Sequence, residues 1–288
     1  VLSSRELLDL GLRGGYGNAE WKWQIPMCEP VQYPEADLPV DPYVVGSLLA
    51  NGTTTAYVVL TTPDEEVINR VSKHVEVKTI LASEKWKDRC PRYGLPKMMA
   101  TMRNLGMDKP SKDKRIPEIY LLGSVEQRLA LLQGLMDGDG SGSSPNRSSV
   151  KYYTISEGLA HDVRELVNSL GGTAKINSND RTDEGKPLEY RLSILLPEQI
   201  EPFYSSRKTR GKVVNRIVPK RAIVGIEPVE AEESVCIAVE AEDHLYLSGR
   251  SYTVTHNTQF LLNLFQSMMS LDDFTKILFI SLEQTRSE

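Results

Sequence analysis

The sequence predicts an α+β multidomain chain, and three features carry that expectation. Residues 41–52 and 124–140 open two copies of one helix–strand–strand–helix–strand–strand pattern. From about Pro202 the texture turns to short β-type runs separated by turn residues, the pattern of an all-β unit. After Asn257 a helical period over residues 260–269 leads into the apolar run Lys276-Ile277-Leu278-Phe279-Ile280-Ser281, the start of an α/β unit. The chain has 288 residues, room for about two or three compact units.

Taken in order, residues 1–38 read as a short helix, a glycine-rich turn over 11–17 and the extended segment Trp21-Lys22-Trp23-Gln24-Ile25-Pro26. Trp21 and Trp23 alternate with polar residues and are expected to pack in a core. Pro30, Pro34 and Pro39 mark a linker, because each proline disfavours helix at the residue before it. The first repeat, DPYVVGSLLANG at 41–52, is a short apolar helix ending in a small-residue turn. Strand-like sequence, an amphipathic helix over 64–74 and a strand over 75–80 follow. The second repeat, SVEQRLALLQGLMDGDG at 124–140, has its own later helix over 158–170 and strand over 171–176. Asn51 and Asp139, at the two motif ends, stand 88 residues apart. Two copies of one αββαββ unit therefore describe residues 39–203 better than a single continuous domain. Short β-type runs at 213–218, 222–226, 235–239 and 244–247 make up 204–257, and 258–288 is the truncated α/β segment.

A net charge of −5 argues mildly against a nucleic-acid partner, since phosphate binding needs clustered Lys and Arg. The average hides an asymmetry. Residues 85–115 hold ten basic residues against three acidic ones, whereas 227–243 hold seven carboxylates and no Lys or Arg. The basic run is either a DNA-facing surface or a solvated face. No apolar stretch is long enough to span a membrane. The opening Val1-Leu2-Ser3-Ser4 is neither a signal peptide nor a methionine start, so the chain is read as part of a longer gene product. Cys28, Cys90 and Cys236 are odd in number and far apart, which points to a reducing compartment with a thiol free for chemistry. Cys28 and Cys90 are read as structural thiols.

Leu131-Leu132-Gln133-Gly134-Leu135-Met136-Asp137-Gly138-Asp139-Gly140 resembles the signature of the LAGLIDADG homing endonucleases. The physical logic is that Gly134 lets two helices approach closely, so that the acidic residue at each helix tip converges on the pair's axis. Such carboxylates hold Mg²⁺ against scissile phosphates and activate water. The resemblance implies a pseudo-symmetric, monomeric endonuclease over residues 39–203 acting on double-stranded DNA, with Asp139 as metal ligand. Aligning Gly46 with Gly134 puts Asn51 where a second carboxylate belongs. Asn51 can ligate through its carbonyl but brings no charge, so nicking or lost cleavage competes with full activity. Lys114-Arg115-Ile116-Pro117 resembles the family's K-x-I-P element, whose lysine positions or activates the attacking water. The alternative for Lys114 is a phosphate contact or a solvated side chain.

His256-Asn257-Thr258 resembles the C-terminal junction of an intein. In that reading Asn257 cyclises and cuts the peptide bond to Thr258, His256 assists as proton donor, and the Thr258 hydroxyl accepts the upstream segment. Residues 1–38 and 204–257 would then form a β-rich Hint splicing fold around the inserted nuclease. Residues 235–249 resemble the block before an intein's last strand. There the class 3 inteins carry their first nucleophile as a cysteine paired with Thr after the junction, as Cys236 and Thr258 would be. A thiolate suits that role; the alternative is that Cys236 is a small core residue. His244 either assists Asn257 or packs. None of the splicing steps needs a cofactor.

Residues 258–263 resemble the end of a P-loop and its helix, and residues 277–283 resemble the strand of DnaB-type replicative helicases that ends in a catalytic glutamate. The resemblance implies that Thr258 becomes a ligand of Mg²⁺–ATP after splicing, that Glu283 acts as base towards the attacking water, and that the spliced host is a hexamer. Two further readings stand beside the splicing element with its endonuclease. One is an ATP-dependent helicase seen in fragment, interrupted in its P-loop by this insert. The other is a nucleic-acid-binding module without catalysis. A bacterial or phage-infected cytoplasm is the expected location.

Overall fold

The computed structural model describes residues 4–15, 20–80, 90–142, 149–180, 182–208, 219–228, 237, 239–243 and 245–255. The chain opens with α1 (Ser4–Asp9) and three two-residue strands, β1 (Arg13–Gly14), β2 (Glu20–Trp21) and β3 (Gln24–Ile25). A long extended segment then leads to the first repeat: α2 (Pro42–Asn51), β4 (Gly52–Thr53), β5 (Val59–Thr61), α3 (Glu65–Val71), β6 (Lys78–Ile80) and β7 (Arg92–Gly94). After α4 (Met99–Asn104), a 3-10 turn (Ser111–Asp113) and α5 (Glu118–Leu121), the second repeat runs α6 (Val125–Asp139), β8 (Gly140–Ser141), β9 (Val150–Thr154), α7 (Glu157–Ser169), β10 (Thr173–Asn179) and β11 (Glu189–Leu195). The described chain closes with β12 (Arg221–Ala222), β13 (Tyr246–Ser248) and β14 (Thr253–Thr255).

Each repeat folds one four-stranded antiparallel sheet, and the two have the same order: β4-β5-β7-β6 and β8-β9-β11-β10. The periodicity that predicts αββαββ units thus produces two equivalent layers with mixed helices and sheets. Local chemistry sets the helix starts. Asp41 caps α2 by accepting from the Tyr43 and Val44 amides, and Pro42 stands at the first helical turn, where its missing N–H costs nothing. Ser124 and Gln127 form a reciprocal capping box at α6. Asp64 and Ser156 cap α3 and α7 one-sidedly, accepting from the Glu66 and Leu159 amides. The α2 residues Pro42 to Leu49 are all buried, so this helix is a core element rather than an amphipathic surface one.

One apolar core joins α2 and α6 to the inner faces of both sheets and to α3 and α7. The extended linker lies along the two-repeat unit. The Val31 amide donates to Ser169 O at 2.9 Å, and Gln127 bonds both the amide and carbonyl of Ala36. Arg128 is fully buried and donates to the carbonyls of Gly123, Ser169 and Val31.

The flanks depart from expectation in two respects. Trp21 and Trp23 are half-buried and take no part in the core. Trp21 carries the Arg13 guanidinium 3.5 Å from its ring centroid, and Trp23 donates from Nε1 to Gly11 O at 2.9 Å. Strands of two residues cannot bury a face, so these rings close over a small hairpin instead. Beyond the repeats, β12 pairs with β3 (Arg221↔Ile25, Ala222↔Gln24), and β13 with β14. Among the described residues, 223–228 carry no strand, whereas the sequence predicts one over 222–226. No helix among them is long and apolar enough to cross a membrane.

Candidate active site

The α2–α6 pair is packed at backbone distance. A Cβ on Gly46 would overlap the Leu131 carbonyl oxygen, and one on Gly134 would overlap the Tyr43 carbonyl oxygen. Further along, a Cβ on Gly138 would meet the Ala50 Cβ and stand 3.2 Å from Asn51 Nδ2. Glycine is therefore required at these crossings for steric reasons, and the contact carries the pair to its tips. Asn51 ends α2 and Asp139 ends α6.

Lys114 reaches this end of the pair from the segment after α4. It is only 6% exposed, and Nζ donates to three carbonyls at the end of α2: Leu48 at 3.0 Å, Leu49 at 2.8 Å and Gly52 at 2.9 Å. The Leu48 carbonyl also accepts from the Gly52 amide, and the three oxygens lie at the negative end of the helix dipole. Burial pushes the Lys114 pKa down to about 8, against the opposing pull of the Asp139 charge. Asp139 shows the complementary shift. Burial raises its pKa, while Lys114 and Lys208 hold it down. Asp139 and Lys114 line one cleft of about 250 Å³ together with Ser111, Tyr153 and Glu189. Asn51 lines a separate hollow with Asp137 and Gly138.

Lys208 is the residue that sequence reasoning missed. Its Nζ donates to Gly138 O at 2.9 Å, Gly140 O at 2.9 Å and Met136 O at 3.3 Å, so it closes α6 as Lys114 closes α2. Burial lowers its pKa as well. No lysine motif marks it: adding the repeat spacing of 88 to Lys114 lands on Pro202, six residues short. Asp137, two residues before Asp139, has a different task. It accepts from the Tyr43 hydroxyl at 2.7 Å and from the Tyr204 and Ser205 amides at 3.2 and 3.1 Å. That carboxylate is consumed in anchoring the strap that delivers Lys208. The strap is held further by Ser205 Oγ donating to Asp64 at 2.5 Å, by the edge-on contact of the Tyr43 and Tyr204 rings and by Arg70, whose guanidinium lies 4.0 and 4.2 Å from their centroids.

Arg115 and Ile116 fix Lys114 to the second repeat. Arg115 makes a two-pronged bond to Asp162 (2.7 and 2.6 Å), the Ile116 amide donates to the same carboxylate at 2.9 Å, and Ser156 Oγ donates to Lys114 O at 2.7 Å. The K-x-I-P element is thus a staple: its lysine caps a helix of one repeat while its arginine holds the other.

Among the described residues no group of three or more His, Cys, Asp or Glu side chains is arranged to hold a metal alone. The donor set at the tips is one free carboxylate, Asp139, with Glu189 in the same cleft and the Asn51 carboxamide at the end of the partner helix. That set fits Mg²⁺, which binds through one or two carboxylates and takes its other oxygens from water and phosphate. Cys28 is half-buried and Cys90 exposed, and both are free. Cys236, His244, His256, Asn257, Thr258 and Glu283 lie outside the described residues.

Comparison with known proteins defines the class first. Residues 126–206 match the LAGLIDADG-like domain. They run from the start of α6 through the strap that ends near Lys208. The chain therefore carries a LAGLIDADG-like domain with its α/β arrangement. It is 28% identical over 260 residues to the replicative DNA helicase DnaB of Mycobacterium intracellulare, a match covering 88% of this chain and 41% of that protein. It is 32% identical over 135 residues to the ATP-dependent DNA helicase Hel308 of Thermococcus kodakarensis, covering 42% of this chain and 12% of the helicase. A DNA polymerase of Thermococcus sp. (strain GE8) is 32% identical over 114 residues, 39% of this chain and 6% of the polymerase. This chain spans well under half the length of each of these relatives. Among solved structures, I-DmoI in complex with DNA and Mn aligns over 54% of this chain and 88% of its own, at 16% identity and a TM-score of 0.35.

Proposed function

We propose that this chain is a splicing element that carries a LAGLIDADG-type DNA endonuclease and interrupts a DnaB-type helicase at Thr258. One observation carries the nuclease reading: a helix pair at backbone contact ends in Asp139, between the buried Lys114 and the half-buried Lys208, which close the two helices. In this reading the outer faces of the two sheets hold the DNA, and Asp139 with Glu189 would hold Mg²⁺ near the scissile phosphates, with Asn51 at the tip of the partner helix. Mg²⁺ bound there supplies Lewis-acid polarisation of phosphate and a more acidic water. Lys114 and Lys208 offset negative charge developing on the phosphate oxygens. Lys114, with its pKa near 8, exchanges a proton with water at the site close to neutral pH. Asp137 and Asp162 act indirectly, by fixing where the two lysines sit.

The splicing reading is supported by the distribution of relatives. Three proteins of different kinds, two helicases and a DNA polymerase, are similar to part of this chain, and in two of them the matching part is at most 12% of the protein. A module embedded in unrelated hosts is the behaviour of a mobile insert. The match to the DnaB relative covers 88% of this chain, far more than the 31 residues from Thr258 to Glu288 supply. The insert itself must therefore contribute most of that similarity. His256-Asn257-Thr258 and Cys236 provide the residue types that splicing chemistry needs.

A second reading, specific DNA binding with nicking or no cleavage, is favoured by Asn51, which leaves a single carboxylate at the helix tips. A plasmid carrying the uninterrupted helicase gene, incubated with the protein and Mg²⁺, tests both. Linear product supports the endonuclease, and open-circle product supports nicking. Asn51→Asp is expected to raise double-strand cutting about tenfold, because it restores a charged metal ligand. Cleavage unaffected by Asp139→Asn would remove the proposed metal site.

A further inference from the structure

The matching registers of the two sheets allow their outer faces to be compared position by position. In the first sheet the outward rows are Thr53–Val59–Gly94–Lys78 and Thr61–Arg92–Ile80. In the second they are Ser141–Lys151–Ser193–Lys175 and Tyr153–Arg191–Asn177. Opposite faces of the same strands are buried at Leu60, Tyr152, Leu192 and Ile194, which fixes these rows as the outer ones. Three positions keep their chemistry, Lys78 with Lys175, Arg92 with Arg191 and the hydroxyls of Thr53 with Ser141. Four exchange it: Val59 stands for Lys151, Gly94 for Ser193, Thr61 for Tyr153 and Ile80 for Asn177.

The exchanges make one half apolar. Ile80 lies over Gly94, its Cδ1 3.7 Å from where a Cβ would stand. Tyr57, Val59, Ile80, Leu95 and Met99 help line an open hollow of about 560 Å³ there. Tyr57 is 54% exposed and Ile80 42%, in a strand whose outward side would ordinarily be polar. The equivalent place on the second sheet presents the Asn177 carboxamide beside Arg191.

We propose that the two half-sites of the DNA target are read by different chemistry: the exposed Ile80, lying over Gly94, receives a thymine methyl, and Asn177 reads an adenine at the matching place. Arg92 and Arg191 read guanine in both halves. In the major groove only thymine offers a methyl group, asparagine pairs in two-pronged fashion with adenine, and arginine with guanine. This inference rests on the DNA-reading function proposed above.

Selection with the full chain from a random-sequence duplex pool, followed by affinity measurement at fixed salt, tests it without requiring cleavage. The selected site is expected to carry guanine symmetrically and thymine in one half where the other has adenine. Replacing that thymine by uracil removes only the methyl group and is expected to weaken binding about fourfold. Ile80→Asn should abolish the uracil effect and shift that half-site towards adenine. Asn177→Ala should cost about tenfold for adenine in the other half-site and leave the uracil effect intact. Ile80 is exposed, and an unchanged melting curve for Ile80→Asn confirms that folding is not the cause. Equal affinity for thymine and uracil duplexes, or selection of the same base at both places, overturns the asymmetric readout alone. Absence of any sequence selection overturns the DNA-reading function and this inference with it.

Discussion

Lys114 is a buried cation whose three N–H groups all go to carbonyls, and its nearest acidic influence is Asp139. Its pKa near 8 has a definite consequence for stability. Between about 8 and the usual 10.5 the unfolded chain holds a proton that the folded chain has released, so this residue's contribution improves as pH rises through that window. Below about 8 both states are charged, and burial of the ammonium is a constant cost. Asp139→Asn removes the charge that favours the ammonium form, so the Lys114 midpoint is expected to move further down. An NMR titration of the Lys114 side chain checks this, and an unchanged midpoint would mean that the two groups do not interact. At this scale the sequence was half legible. Asp139, Asn51 and Lys114 could be singled out because each sits in a recognisable string. Lys208 could not, because its partners are carbonyls, which leave no trace in residue types, and because it stands in Arg207-Lys208-Thr209. Glu189 is likewise brought beside Asp139 only by the pairing of β11 with β9.

Helix pairing is the element-scale fact on which the site depends, and it was the most legible. Two short apolar helices with glycine at matched places, 88 residues apart, already specify close approach. The structure adds what the glycines avoid: the carbonyl oxygens of Leu131 and Tyr43. Since those obstacles are backbone, a methyl group cannot be accommodated by a rotamer change, and the helices must separate. Gly134→Ala is therefore expected to destabilise the protein by about 3 kcal/mol, although alanine is the better helix former by about 1 kcal/mol. Urea unfolding measures the difference, and a stability within about 0.5 kcal/mol of the parent would show that the pair can spread freely. Propensity and packing thus oppose each other here, and packing wins. The tryptophans fared differently. Alternation in Trp21 and Trp23 signals a strand with one buried face, but β2 and β3 are two residues each and have no sheet to bury it. A period of two describes side-chain direction; burial needs neighbours, which lie elsewhere in the sequence.

At the scale of the whole molecule, the chain leaves one small unit, builds the nuclease-like unit and returns to where it left. Ile25 pairs with Arg221 and Gln24 with Ala222, and the Ile223 amide reaches back to Trp23 O at 3.1 Å. Neighbouring strands lie about 4.8 Å apart, so the exit and re-entry points are close enough for a few residues to span. The linker, by contrast, is bound to the nuclease side, through Val31, Ala36 and the buried Arg128. The β3–β12 pair joins the two outer segments, and what lies between folds around its own core, although Arg250 also pairs with Glu165 at 3.4 Å and the Tyr33 hydroxyl donates to that of Tyr252 at 3.4 Å. If the outer unit performs splicing, it should do so without the inner one. In a chain fused behind an intein's N-terminal splicing segment, replacing residues 28–218 by a short Gly/Ser linker is expected to preserve ligation of the flanking segments while abolishing DNA binding. Asn257→Ala should block release of the C-terminal segment in both the full and the shortened chain, because the cyclising side chain lies outside the deleted part. Ligation is read as the mass of the joined product. A shortened chain that folds but never ligates, beside a full chain that does, would mean that the nuclease-like unit holds the splicing residues in place, and the two units would then have to be treated as one catalyst.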